Sequence, residues 1–283
     1  MTSSKDKSSD NQPEEFLEVE SGLLQITDLQ NGVYSPSVNG TDERIAFIAS
    51  EDGIKDIWIL QFDGSTTKVT NDSAEEKTPS WSYFSNKIVY SKIEDNSENI
   101  NIVSLDNSTV TSLPEKPYSR SMPWLSPQDD RITLTSNING YLDIFIYTIS
   151  TEEEIHIETG GTENFRSVWS PDGEKIAFVS NRNGSRDIYL YLLQTSEVIR
   201  LTSSPADEDM PSWSWDSNFL AFASNWKGNW DIWTLEINNR SNVKQITFNS
   251  ANDSSPCWYP DDQSILFASY RDGLTNLWKV SIE

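Results

Sequence analysis

One motif recurs six times along the sequence, and it constrains the fold more than any other feature. Its clearest copy runs from Val168 to Leu190 and reads VWSPDGEKIAFVSNRNGSRDIYL. With Trp169 as an anchor, the steps between copies are 43, 44, 44, 44 and 45 residues. The six anchors are Val38, Trp81, Leu125, Trp169, Trp213 and Trp258. A fixed period near 44, with several short strands in each period, is typical of a β-propeller in which each copy forms one blade.

The motif predicts an antiparallel meander. Ser170 to Gly173 form a tight turn, because proline presets the first turn dihedral and glycine accepts a positive φ. Ile176 to Val179 are almost wholly apolar, as in a strand that is covered on both faces. A second turn at Asn181 to Gly184 leads to a third strand at Ile188 to Tyr191, which is rich in aromatic and branched residues.

A fourth strand closes five of the six periods, and the chain stops just past the third strand of the sixth. Leu24 to Thr27 (LQIT) resemble Lys244 to Thr247 (KQIT), so we expect the N-terminal strand to complete the last blade and leave no unpaired edge. The predicted fold class is all-β: a six-bladed β-propeller with four antiparallel strands per blade, closed by that strand. The propeller is expected over residues 22–283 as a single domain, after a disordered N-terminal tether at 1–21 that is poor in apolar residues.

Two deviations from the repeat carry further expectations. Trp124 is shifted by one place from its anchor, so it should face opposite to the other tryptophans. Asp56, Asp143, Asp187 and Asp231 open the third strand in four blades, and we interpret these recurring acids as turn caps that bond to the backbone.

Charge and composition limit the classes of partner. The formal net charge is −23, from 44 acidic and 21 basic residues. Such a field repels phosphate backbones, which excludes nucleic acid as a partner and favours a basic protein. Cys257 is the single cysteine, so no internal disulfide forms, and no apolar run of 18 residues is present to span a membrane.

The repeats resemble those of the TolB-type propeller, a relative of the WD-type propeller. The likeness rests on WSPDGEKIAFVSNRNGSRDIY, PSWSWDSNFLAFASNWKGNWDIW and the IRLT and KQIT strands. It implies a six-bladed disc in the bacterial periplasm that binds a peptidoglycan-associated lipoprotein at one face. The smaller α/β domain that precedes the propeller in that family is absent from this sequence. We expect a periplasmic or extracytoplasmic monomer, including the case of a lipoprotein whose signal lies outside this sequence; a cytoplasmic protein is the alternative.

The sequence lacks the residues of common catalytic sites. Ser-His-Asp catalysis needs a histidine base, and the only histidine is His156, on a predicted outer strand. One histidine cannot supply the clusters that related propeller lyases and many metal sites use. We therefore expect no enzyme activity and no cofactor, with calcium bound by carboxylates as an open alternative.

The candidate binding residues lie in loops that gather around one mouth of the central channel. Converging acids there could receive the lysines and arginines of a partner, and a loop with two tryptophans could anchor a protein or stack on a sugar ring. These candidates are Glu75, Glu76, Glu163, Asp207, Glu208, Asp209, Asp253, Trp226 and Trp230.

Three hypotheses follow. The favoured one is a protein-binding scaffold that recognises its partner through this acidic, tryptophan-bearing face. The second is a carbohydrate-binding propeller, and the third is a calcium-dependent hydrolase that uses the acidic channel.

Overall fold

The computed structural model describes residues 20–160 and 163–282. Most of the predicted tether lies outside the described residues. Six sheets of four antiparallel strands are arranged as blades around a channel, which confirms the predicted fold class. Among the described residues, the only helical segment is a short 3-10 turn at Arg271–Gly273, and no helix is long and apolar enough to cross a membrane.

The strands follow the predicted order in every blade. The innermost strands are β2 (Val33–Val38), β6 (Glu75–Trp81), β10 (Arg120–Leu125), β14 (Asn164–Trp169), β18 (Glu208–Trp213) and β22 (Asp253–Trp258). The second strands are β3 (Ile45–Glu51), β7 (Lys87–Glu94), β11 (Arg131–Ser136), β15 (Lys175–Ser180), β19 (Phe219–Ser224) and β23 (Ser264–Ser269). The third strands are β4 (Ile54–Leu60), β8 (Ser97–Ser104), β12 (Asp143–Thr148), β16 (Asp187–Leu192), β20 (Asp231–Glu236) and β24 (Asn276–Ser281). The outer strands are β1 (Leu24–Gln25), β5 (Thr66–Lys68), β9 (Thr109–Ser112), β13 (Glu153–His156), β17 (Glu197–Arg200) and β21 (Asn239–Gln245).

The N-terminal strand closes the ring, as the sequence predicts. β1 pairs antiparallel with β24, with Leu24 opposite Lys279. Regular pairing covers only Leu24–Gln25, and Ile26 continues it by donating its backbone N–H to Leu277 over 2.8 Å. The backbone N–H of Leu277 in turn donates to the Thr27 hydroxyl over 2.9 Å. The sixth blade is thus built from both ends of the described chain.

The anchor side chains fill the space between blades. All six are buried, from Trp169 at 0% to Val38 at 4% relative exposure. Full burial of a large apolar side chain stabilises the fold by roughly 1.5–3 kcal/mol. In the third blade Leu125 takes the anchor position opposite Ile132, while Trp124 lines the channel, so its predicted opposite orientation is confirmed.

Candidate functional site

The first strand of every blade carries a bulge that faces the channel. In each blade the pairing with the second strand shifts at the same place, as between Phe165 and Val168 in β14. The bulge residue has a left-handed φ, between 45° and 57°, although none is glycine. Such bulges bend the strand and re-aim its side chains. The six bulge residues are Ser35, Thr78, Met122, Arg166, Met210 and Ser255.

These bulges surround a cavity of about 100 Å³ on the propeller axis. Its wall consists of residues 35–36, 78–80, 122–124, 166–168, 210–212 and 255–257. Proline follows the bulge residue in five blades, whereas Ser167 takes that place in the fourth. The wall is therefore mostly apolar, with hydroxyl groups and the single guanidinium of Arg166 added to it.

Aromatic side chains close one end of the channel. Tyr83 and Trp215 lie in the turns between first and second strands, and their rings contact edge-on with centroids 5.3 Å apart. Opposite them Gly40 leaves the space they need, because a Cβ at that residue would lie 2.0 Å from Cη2 of Trp215. Burial raises the pKa of the Tyr83 hydroxyl far above its ordinary value, so the aromatic side chains that close this end of the channel are uncharged.

The other end of the channel opens on what we call the channel face. It comprises the loops between second and third strands, together with those that link each outer strand to the next blade. The register places them together, since Asn164, Ser180 and Asp187 lie side by side at one end of the fourth blade. The loops at the other strand ends form the opposite face.

Four of the seven predicted acids do not lie on an open rim. Glu76, Glu208, Asp209 and Asp253 are each at most 2% exposed. Each is the first or second residue of an innermost strand, at the junction with the previous blade. Their charge suggested exposure, but the junction between blades encloses this position.

Two of these acids have strongly altered acidity. Burial raises the pKa of Glu76 to about 7, although the Thr70 hydroxyl donates a hydrogen bond to it over 2.9 Å. Burial likewise raises the pKa of Glu208 to about 7, against the hydrogen bond from Ser204. Both are therefore half-protonated near neutral pH and are poor candidates for permanent negative charges at a docking surface.

The other two buried acids pair with arginine. Asp253 lies 2.9 Å from Arg271, although burial still raises its pKa. Asp209 lies between two arginines of the fourth blade, with Arg166 Nε 3.0 Å from Oδ1 and Arg186 Nη1 2.9 Å from Oδ2. Asp209 thus joins the channel wall to the loop before β16.

The remaining three predicted acids lie on the channel face. Glu75 forms a 2.9 Å ion pair with Lys55. Glu163 is exposed and accepts a 2.7 Å hydrogen bond from Asn181. Asp207 accepts the backbone N–H of Arg186 over 2.9 Å. Within the described ranges, no group of three or more histidine, cysteine or acidic side chains is arranged to hold a metal ion.

The two candidate tryptophans have different environments. Trp226 is 48% exposed, with its ring 5.1 Å from that of Trp233. Trp230 is half-buried against the core between the fifth and sixth blades, and its carbonyl accepts the N–H of Asp253 over 2.8 Å. Trp226 is thus available for contact, whereas Trp230 packs between blades.

The recurring acids of the third strand are not primarily turn caps. Among the described residues, Asp143 alone of the four accepts a backbone N–H, from Ile144 over 2.9 Å. Each acid instead bonds to a side chain of its own blade's outer strand, which pins that strand. The pairs are Asp56–Lys68 at 2.9 Å, Asp143–His156 at 2.6 Å, Asp187–Arg200 at 2.8 Å and Asp231–Gln245 at 3.1 Å.

Comparisons with known proteins agree with this architecture. TolB from Acinetobacter baumannii is 23% identical with a TM-score of 0.71, over 85% of this chain and 64% of that one. A structure assigned to TolB from Agrobacterium tumefaciens is 17% identical with a TM-score of 0.71, over 92% and 97%. An oligogalacturonate lyase in complex with manganese is 13% identical with a TM-score of 0.64, over 92% and 93%.

These identities show a shared fold, and the chain spans about two thirds of the Acinetobacter protein. No curated protein sequence matches the chain. The family model of the TolB beta propeller domain matches residues 37–210 and 193–283. Since those ranges cover most of the chain, the protein belongs to the TolB beta-propeller domain family.

Proposed function

We propose that this protein is a non-enzymatic binding propeller of the bacterial cell envelope, and that it docks a protein partner on its channel face. The observation that carries the proposal is the asymmetry of the channel, which Tyr83 and Trp215 block at one end while the other end opens among charged loops. Membership of the TolB beta-propeller family supports an extracytoplasmic, protein-binding role. The partner is an envelope lipoprotein or another protein with basic groups, and the propeller acts as a monomer.

The side-chain chemistry supports a binding role over a catalytic one. His156, the chain's only histidine, lies on an outer strand with Nε2 2.6 Å from Asp143, away from the channel. The buried acids serve blade junctions. We propose that the channel face functions without a bound metal; elemental analysis after dialysis without chelator tests this, and stoichiometric calcium would favour the hydrolase alternative instead.

Capture from envelope extracts of the native organism tests the docking face. Trp226→Ala combined with Glu75→Lys and Glu163→Lys changes exposed or half-exposed channel-face groups, and we expect it to reduce capture of the partner at least tenfold. The matched control changes the opposite face: Phe62 is 88% exposed, and Asp63 and Glu174 are also exposed, so Phe62→Ala with Asp63→Lys and Glu174→Lys likewise removes one aromatic ring and reverses two acids. Capture that survives the first variant, or that both variants weaken equally, would contradict the proposed face.

Carbohydrate binding remains a second candidate because of a polar groove at the second and third blades. The groove has a volume of about 960 Å³, and its wall includes Asn96, Asn101, Asn137 and Tyr118. Amides beside an aromatic ring are groups that bind sugars through hydrogen bonds and stacking. Titration with peptidoglycan fragments and oligogalacturonates, with Tyr118→Ala as the variant, distinguishes this function from protein docking.

A further inference from the structure

The channel cavity differs in charge from the surface around it. Within the described part of the chain, its wall contains one charged side chain, Arg166, and no carboxylate. The whole protein carries a formal net charge of −23. A cation in a narrow, mostly apolar cavity is screened less than one in water, so it attracts anions more strongly than an exposed arginine does.

Arg166 is only partly neutralised by its neighbours. Its Nε lies 3.0 Å from Asp209, but the same carboxylate also accepts a 2.9 Å hydrogen bond from Arg186. Two guanidinium groups and one carboxylate leave one net positive charge. Across residues 20–160 and 163–282, Nη1 and Nη2 of Arg166 meet no hydrogen-bond acceptor. The planar fork of the guanidinium therefore retains the two donors that bind a carboxylate in a bidentate manner.

Two serines of the cavity wall provide a second, independent observation. Ser80 and Ser167 are each 1% exposed, and the Oγ of each has no hydrogen-bond partner in the described structure. Buried hydroxyls are normally satisfied. Ser167 also stands where the other five blades have proline, in the same blade that carries Arg166. The fold requires neither Arg166 nor Ser167 at these positions, because the other five blades form the same bulge with other residues.

We propose that the channel is a binding site for the side-chain carboxylate of a glutamate or aspartate on an extended segment of the protein partner. Arg166 binds the carboxylate, while Met122, Met210 and the ring of prolines contact its methylene stem. The cavity is closed at its far end and has room for several water molecules, which suits one side-chain tip rather than a sugar chain. This inference rests on the proposed protein-docking function and names the group that enters the channel.

Short peptides provide the direct test. The probes are acetyl-Gly-Gly-Glu-Gly-Gly-amide, its glutamine counterpart, pentaglycine with a free carboxyl terminus, and digalacturonate. Binding is followed by NMR shifts of the arginine Nε–Hε signals. We expect the glutamate peptide to bind the wild type about tenfold more tightly than the glutamine peptide, because a hydrogen bond to a charged group typically changes the dissociation constant by about tenfold.

Arg166→Gln should abolish that preference, and Arg166→Lys should retain part of it. Arg44→Gln is the matched control, since Arg44 also pairs with an aspartate, Asp42, but lies outside the cavity wall and does not contact Asp209; the preference should persist within about twofold. Thermal melting confirms that each variant is folded.

Equal binding of the glutamate and glutamine peptides, or a preference that survives Arg166→Gln, would overturn the proposal. Binding of only the free carboxyl terminus or only digalacturonate would overturn the assigned source of the carboxylate. If the glutamate preference is present but channel-face variants do not affect partner capture, the docking function fails and the carboxylate site stands. The reverse result rejects the carboxylate site alone.

Discussion

Tyr83, in the second blade, donates its hydroxyl hydrogen to the backbone carbonyl of Trp169, in the fourth blade, over 2.5 Å. Two blades that are not neighbours are thus joined directly across the channel. The bond holds the Tyr83 ring in place at the closed end of the channel, and it stabilises the contact between the two blades. A first prediction concerns this bond, since its loss leaves the carbonyl of Trp169 without that donor.

Tyr83→Phe should lower the free energy of unfolding by about 1–2 kcal/mol, because a buried hydrogen bond is lost while the ring remains in place. Urea unfolding followed by tryptophan fluorescence measures the change. Phe84→Leu, at a 61% exposed ring in the same turn, is the control and should change stability by less than about 0.5 kcal/mol. A Tyr83→Phe variant as stable as the wild type would show that the bond across the channel contributes nothing.

Gly40→Ala should destabilise the protein by about 1–3 kcal/mol through overpacking, since the new methyl group meets the ring of Trp215 and the carbonyl of Tyr83. Replacing Trp215 with leucine in the same chain frees part of that space. The double variant should therefore lose less stability than the sum of the two single changes. Strict additivity in this double-mutant cycle would contradict the close approach of Gly40 and Trp215.

The stability of the propeller should fall as the pH rises from 5 to 8. Burial raises the pKa of Glu76 and Glu208 from 4.5 to about 7, and burial with the nearby charge of Asp253 raises that of Asp231 from 3.8 to about 7. Each group binds its proton more tightly in the folded state. Its stabilising contribution is therefore complete below the unfolded pKa and is lost as the pH passes through about 7.

Melting temperatures at pH 5 and pH 8 test the predicted fall in stability as the pH rises. Glu208→Gln should make the fall smaller, because one of the groups with a raised pKa is removed. Glu75→Gln, at a half-exposed ion pair, is the control and should leave the fall unchanged. Acids with a lowered pKa change stability in the opposite direction, but only below about pH 4. Asp172 is an example: burial opposes its ionisation, but the hydrogen bonds from Lys175 and Ser170 outweigh burial and lower its pKa. A melting temperature that rises from pH 5 to pH 8 would contradict the account.

The clasp between the two ends of the described chain should depend on Glu20. Its carboxylate bonds both terminal nitrogens of Arg271, with Nη2 at 2.9 Å, and accepts the backbone N–H of Phe248 over 2.8 Å. Although burial opposes it, the hydrogen bond from Arg271 holds the pKa of Glu20 below its ordinary value. Glu20→Gln should lower the free energy of unfolding by about 1–3 kcal/mol.

Hydrogen exchange of the β24 amides is a second measurement of the clasp, and it should accelerate in Glu20→Gln before the other blades are affected. Glu51→Gln is the matched control, because it removes a carboxylate from an exposed pair with Lys68 and should cost less than about 1 kcal/mol. Equal effects of the two substitutions would show that the N-terminal segment does not clasp the last blade through Glu20.

The sequence predicts the architecture closely because the repeat determines it. The period predicts six blades, the apolar runs predict the buried second strands, and the likeness of LQIT to KQIT predicts the closing strand. The shift of Trp124 correctly predicts its orientation toward the channel. In each case one physical rule, strand alternation or edge pairing, links the letters to the structure.

The candidate site was less predictable from the same letters. A carboxylate such as Glu208 reads as a surface group, and only the three-dimensional junction between blades buries it. The bulge at Arg166 has a left-handed φ but no glycine, so the sequence contains no signal that predicts this backbone conformation. Other signals were present in the repeat, since Tyr83 and Trp215 replace the proline of the Ser-Pro-Asp-Gly turn and Arg166-Ser167 replaces the usual residue-proline pair.

Site-specific photo-crosslinking in the native organism tests the docking face most directly. A benzoylphenylalanine is placed at Trp226 or Glu163 on the channel face, and at Phe62 or Glu174 on the opposite face. Our account predicts a crosslink to one discrete protein from both channel-face positions and none to that protein from the opposite face. Crosslinks of equal yield from both faces, or to that protein only from Phe62 and Glu174, would contradict it.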